Sequence, residues 1–178
     1  MVSRALDFGA EAIIAPMIND GSDARAFASA AKYPPAGERS WGPQRAMALQ
    51  GAAAATDYLR EANAQTLTLA MIETPAALNN VDDIAGTAGI DALFVGPYDL
   101  STSLSAGAAQ DVQAPEVERA IDQICAAAKK AGKIPGIYCA NAARALAMAK
   151  RGFRFLTIGS DLGMLRESAA AMVKALKP

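Results

Sequence analysis

An alternation dominates this sequence. Five short apolar runs, AIIAPM (12–17), TLTLAMIE (66–73), ALFVGP (92–97), KIPGIYC (133–139) and RFLTIGS (154–160), are each followed by helix-forming sequence. The runs are of strand length and mostly apolar without strict alternation. Strands covered on both faces, as in a parallel sheet, have this pattern. The segments between them carry helix signals. DGSDARAFASAAKY opens with capping residues, and TPAALNNVDDIAGT has Pro75 where a first turn tolerates it. APEVERAIDQICAAAKKAGK puts Val117, Ile121, Ile124 and Cys125 on one face and stops at Gly132. NAARALAMAKRG is capped by Asn141, and SDLGMLRESAAAMVKALK closes the chain. A longer stretch, AMALQGAAAATDYLREANAQ, is helical with a predicted break near Gly51.

Strand alternating with helix predicts an α/β fold in a single domain over 1–178. Five such units can make a small doubly wound sheet. They can equally be part of an eight-stranded barrel, which typically takes ~250 residues, about three units more than this chain has. The one Pro/Gly-rich insertion, KYPPAGERSWGPQRA (32–46), reads as an ordered loop, and such loops often carry function.

Composition excludes several classes. Basic and acidic residues number 17 and 18, with no basic block, so nucleic acid is not an expected partner. No apolar run is long enough to span a membrane, and the first residues do not form a signal peptide. Cys125 and Cys139 form neither a CxxC pair nor a disulfide framework, which suits a reducing, cytoplasmic setting. The chain has no histidine, which removes from it any Ser-His-Asp triad, Cys-His pair or HExxH zinc site. Dinucleotide and P-loop glycine patterns are missing too.

Two acids stand where chemistry is expected. Glu73 ends the second run, and Asp99 follows Gly96-Pro97-Tyr98 after the third. Ligands bind at the carboxyl ends of strands in α/β folds, and one strand-helix unit separates the two residues. Two carboxylates on neighbouring strands suit Mg²⁺ or Mn²⁺, with waters filling the remaining positions. The competing reading is a Glu73 that caps or salt-bridges a loop and an Asp99 that N-caps a helix. Gly96 lets backbone approach a ligand, Pro97 stiffens the turn, and the Tyr98 and Asp99 amides open a helix that attracts carboxylates.

The stretch IETPAALNNVDDIA…GIDALFVGPYDLS resembles the signature of the metal-dependent 2-oxo-acid aldolases of the HpcH/HpaI group, the 4-hydroxy-2-oxoheptanedioate aldolase type. The resemblance continues through AIIAPMIND, KYPPAGERSWGP, GKIPGIYCAN and GFRFLTIGSDLGML. It implies a (β/α)8 TIM barrel, here a partial barrel of about five units, assembled as a homo-oligomer. It implies Glu73 and Asp99 as ligands of Mg²⁺ or Mn²⁺, and Gly96, Pro97, Tyr98, Asp99 and Met71 as substrate contacts. It implies cleavage of a 4-hydroxy-2-oxo acid to pyruvate and an aldehyde, with the metal polarising the keto group. Arg39 and Trp41, in the insertion, become candidates for the aldehyde side of the pocket or for a subunit contact. The chain departs from the group in two ways. It lacks the earlier units that carry a histidine and an arginine of the site, so it is expected to be an N-terminally truncated fragment. Met71 stands where many members have glutamine. An acyl-CoA ester lyase of the same superfamily, and a folded fragment without turnover, are the alternatives.

Overall fold

The computed structural model describes residues 1–176. All five predicted strands form: β1 (Ala12–Ala15), β2 (Leu67–Ile72), β3 (Ala92–Val95), β4 (Ile134–Cys139) and β5 (Phe155–Ile158). Every pairing is parallel, and the order across the sheet is the order along the chain. Crossovers between parallel strands are right-handed, so a strictly sequential order sends every crossover to the same face. A doubly wound sheet reverses its order midway and uses both faces. The sequential order selects the barrel alternative: the five units form a curled arc of a (β/α) barrel.

The two faces of the sheet confirm this. Outward residues Ala70, Ile72, Leu93, Val95, Ile137 and Cys139 join one large core with the helices. Those helices are chiefly α2 (Gly21–Ala31), α5 (Pro75–Asn79), α6 (Val81–Gly86), α8 (Pro115–Lys130) and α9 (Ala142–Arg151). Inward residues Leu69, Ala92 and Phe94 form a second, separate cluster with Ile14, Met71, Tyr138 and Phe155. Registers pair Met71 with Phe94, Phe94 with Gly136, and Gly136 with Phe155, so these stand in one inward layer, as barrel interiors do. Gly136 is small for a packing reason. A Cβ there would meet Phe94 at 2.9 Å, and its absence lets the Phe94 and Phe155 rings approach edge-on at 6.1 Å.

Helix ends follow the capping residues read from the sequence. The Asp20 side chain accepts from the amides of Ser22 and Asp23, Thr74 from Ala77, Asn141 from Arg144, and Ser160 from Gly163. Val117, Ile121, Ile124 and Cys125 are all buried on one face of α8. Gly51 adopts a left-handed φ of 66° and separates α3 (Gln44–Gln50) from α4 (Ala55–Gln65). The sequence also predicts a helical stub, SRALDFG (3–9), ahead of the first strand, and helix at 160–177. Helices α1 (Val2–Asp7) and α10 (Asp161–Ala175) answer to these, and Lys177 lies outside the described residues. Helix α10 buries none of its residues, although Leu162, Met164, Leu165, Met172 and Val173 lie on it. Helix α7 (Pro97–Leu104) follows β3 directly.

One expectation needs correcting. The first run ends as strand at Ala15, and Met17 turns out of it with φ 57°. Asp82 and Asp83, which the sequence places on the exposed side of a helix as solvated charge, are both exposed, and Asp83 also accepts a hydrogen bond from the Gly21 amide at 3.1 Å that ties α6 to the start of α2.

Candidate active site

Alternation along β2 places Leu67, Leu69 and Met71 inward, and the next inward position is Glu73. The same count on β3 runs from Ala92 and Phe94 to Gly96, so Glu73 and Gly96 are neighbours in one row at the carboxyl end of the sheet. Their contact is close. A Cβ on Gly96 would lie 2.7 Å from Glu73 Oε2 and 2.9 Å from the Met71 sulfur. Glycine is required there because backbone and carboxylate share the space a methyl group would fill.

Glu73 is 3% exposed, and among the described residues its side chain has one hydrogen bond, from backbone: the Met17 amide donates to Oε1 at 2.7 Å. The left-handed φ of Met17 is uncommon for a residue with a side chain, and it sits where that amide meets the carboxylate. The loop is further tied down. The Asn19 side chain accepts from the Thr74 hydroxyl, and the Asn80 amide donates to the Asn19 carbonyl at 3.0 Å. Oε2 has no hydrogen-bond donor among the described residues.

Asp99 lies in the first turn of α7, whose N-cap is Gly96 and whose first residue is Pro97. Leu100 begins the intrahelical ladder by bonding to the Gly96 carbonyl at 2.9 Å, so the Tyr98 and Asp99 amides precede that ladder. Burial raises the Glu73 carboxyl above its ordinary value of 4.5. The Met17 hydrogen bond opposes this, and the nearby Asp99 charge adds to it. The two acids therefore feel each other, and no basic side chain pairs with either among the described residues.

This donor set fits a hard divalent cation. Glu73 is buried, held by one amide, with its second oxygen free beside Gly96 and a second carboxylate close by. Among the described residues no third His, Cys, Asp or Glu completes a protein-only cluster. Two carboxylates with water and substrate in the other positions is the arrangement Mg²⁺ favours.

The remaining candidates divide. Met71 and Gly96 touch Glu73's surroundings, and Tyr98 packs edge-on against Tyr138 at 5.9 Å. Arg39 and Trp41 lie elsewhere. Arg39 is buried, bonds Asp7 at 2.7 Å and stacks 4.5 Å over the Tyr33 ring. Trp41 packs against Tyr33 and Tyr58. This cluster follows the end of α2, where Lys32 reaches the Thr66 carbonyl and Asp91, residues that precede β2 and β3. The insertion therefore caps the amino end of the sheet, opposite Glu73. That places Arg39 and Trp41 away from Glu73, in contacts within the chain to Asp7, Tyr33 and Tyr58. Missed from the sequence were the Met17 amide, because a one-residue turn inside an apolar run has no glycine to mark it, and Tyr138. Cys139 is buried and free, and burial pushes its thiol up, which suits a packing role.

A family model described as HpcH/HpaI aldolase/citrate lyase matches residues 1–168. The chain belongs to this family. Among its relatives is a hydroxypyruvate/pyruvate aldolase from Rhizorhabdus wittichii, 40% identical over 172 residues, covering 97% of this chain and 67% of that protein. A 4-hydroxy-2-oxo-heptane-1,7-dioate aldolase from Shigella sonnei is 37% identical over 171 residues, covering 96% and 64%. The chain thus spans about two thirds of the length of these curated relatives. Among solved structures, an HpcH/HpaI aldolase from Desulfitobacterium hafniense superposes with a TM-score of 0.85 at 30% identity, over 99% of this chain and 67% of that one. The fold and family expected from the IETPAAL and VGPYDLS segments are thereby established.

Proposed function

We propose that this chain carries the metal- and pyruvate-binding half of a 2-oxo-acid aldolase, one that cleaves a 4-hydroxy-2-oxo acid to pyruvate and an aldehyde. The observation that carries this is the buried Glu73 carboxylate, pressed by Gly96 and without a cationic partner among the described residues, with the exposed Asp99 near enough to raise its carboxyl. Glu73 and Asp99 would hold Mg²⁺ or Mn²⁺, which when bound supplies Lewis acidity toward the keto oxygen of the substrate. The Met17 amide fixes the orientation of Glu73. The amides of Tyr98 and Asp99, at the start of α7, would receive the pyruvate carboxylate, and the helix dipole favours that charge. The Tyr98 and Tyr138 rings pack edge-on beside this turn. With no histidine in the chain, any proton moved at the pyruvate methyl carbon passes through another group.

Two further parts of the reading rest on separate features. A homo-oligomer is supported by the apolar side chains of α10 and by the sheet edges at β1 and β5, since uncovered edges template pairing. A cytoplasmic setting is supported by two free, buried cysteines. No helix among the described residues is long and apolar enough to cross a membrane.

The test is exchange of the pyruvate methyl protons in D₂O, followed by NMR with Mn²⁺ or Mg²⁺ present. Metal-dependent exchange that disappears in Glu73→Ala and Asp99→Ala is the expected result. Exchange that persists in both variants, or that ignores metal, would overturn the assignment of these two acids.

A further inference from the structure

Beside the Gly96–Asp99 turn lies a small, largely enclosed cavity of about 50 Å³, walled by Pro97, Tyr98, Gln113, Tyr138, Asn141 and Arg144. It adjoins the site through the sheet register. The inward row that holds Glu73 and Gly96 continues to Tyr138 on β4 and Thr157 on β5, because Phe94 pairs with Gly136 and Tyr138 with Thr157. The Thr157 hydroxyl is buried and has no hydrogen-bond partner among the described residues.

The polar groups around this cavity are mainly donors. Arg144 uses one nitrogen, Nη2, on Glu118 at 2.6 Å, and its other nitrogens make no hydrogen bond among the described residues. The Tyr98 and Tyr138 hydroxyls are likewise unpaired among the described residues, and the Asn141 oxygen is spent on capping α9, leaving its NH₂. No carboxylate lines the cavity. Unpaired donors around a guanidinium select an acceptor with negative charge, and Arg is the side chain best shaped for a carboxylate. The volume is too small for a whole ligand, since pockets for drug-sized molecules run about 300–1,000 Å³. It takes one end of a ligand whose other end lies at the Glu73 row.

We propose that this cavity is an anion subsite that reads a carboxylate on the aldehyde half of the substrate, with Arg144 as its specificity-determining residue. The identity of the ligand's other half rests on the aldolase reading above; the subsite itself does not.

The test uses the metal-free chain and a simple probe. Propionate is titrated while the ring signals of Tyr98 and Tyr138 are followed by NMR, with propionamide as the uncharged control. Propionate shifts both tyrosines and propionamide does not. Arg144→Gln weakens propionate binding roughly tenfold or more, the scale of one lost charge-assisted hydrogen bond. Arg144→Lys, which keeps the charge, retains part of the binding. Glu118→Gln, which frees Arg144 from its partner, tightens it. Equal affinity in wild type and Arg144→Gln, or no tyrosine shift with propionate, would overturn the proposal. Binding of Mn²⁺ with pyruvate, measured on the same wild-type sample, reports separately on Glu73 and Asp99, so failure of either reading is visible without the other.

Discussion

At the amino ends of the strands, Lys32 reaches Asp91 at 3.0 Å and Arg39 reaches Asp7 at 2.7 Å. At the carboxyl ends, Glu73 is buried within reach of the Asp99 charge, and neither has a cationic side chain on it among the described residues. Both ends bury charge, yet only one neutralises it. Lys32 also donates to the carbonyls of Asn63 and Thr66, and Asp91 accepts from the Thr68 amide and hydroxyl, so that network is closed. A buried charge without a partner is costly and persists where function requires it. The amino end is built to hold the barrel arc together, while the carboxyl end leaves the Glu73 charge uncompensated, as the proposed cation site requires.

The largest effect expected from this contrast is at Lys32. Lys32→Met leaves Asp91 without its cation and lowers stability by about 3 kcal/mol, the scale of breaking a buried pair. Urea denaturation checks it, and Mn²⁺ affinity of the folded variant stays unchanged because the metal residues lie at the other end. Next is Gly96→Ala. Its Cβ falls 2.7 Å from Glu73 Oε2, so the carboxylate must move. A stability loss of about 1–3 kcal/mol, the range for overpacking, accompanies weakened Mn²⁺ binding by calorimetry.

Glu73→Gln should move the other way. Burial and Asp99 raise the Glu73 carboxyl, so the folded apo chain holds this proton more tightly than the unfolded chain. Below the ordinary value of 4.5 both states are protonated and no penalty exists. As pH rises from there through the folded value, the wild type loses stability and the glutamine variant does not. Urea midpoints of the two proteins at pH 4.5 and pH 7 therefore diverge, with Glu73→Gln the more stable at pH 7. Saturating Mn²⁺ reverses the ranking. The smallest effect is on α10, which buries nothing. In the monomer, Leu165→Ala changes stability by no more than about 0.5 kcal/mol. A larger, concentration-dependent loss would show that α10 is covered in an assembly.

The sequence made the fold legible because each strand carries its own apolar run and several helices carry their own caps, as at Asp20, Thr74, Asn141 and Ser160. It did not decide between a doubly wound sheet and a barrel arc. Strand order is a long-range property, and the choice came first from the family segments and then from the observed pairings. Glu73 and Asp99 were legible from position alone, since both follow strand-length runs. Arg39 was not: a charged residue in a Pro/Gly-rich loop looks the same whether the loop caps one end of the sheet or the other. Met17 was hidden for a related reason, because its role belongs to a backbone amide and not to its side chain.

The central claim is that Glu73 and Asp99 together hold one divalent ion. The most direct measurement is a Mn²⁺ titration followed by electron paramagnetic resonance, on wild type, Glu73→Gln and Asp99→Asn. One site per chain in wild type is the predicted result. Each variant should weaken it by more than about a hundredfold, since losing even a group behind a ligand costs 10–100-fold. A wild-type site that survives either substitution with its affinity intact would contradict the account.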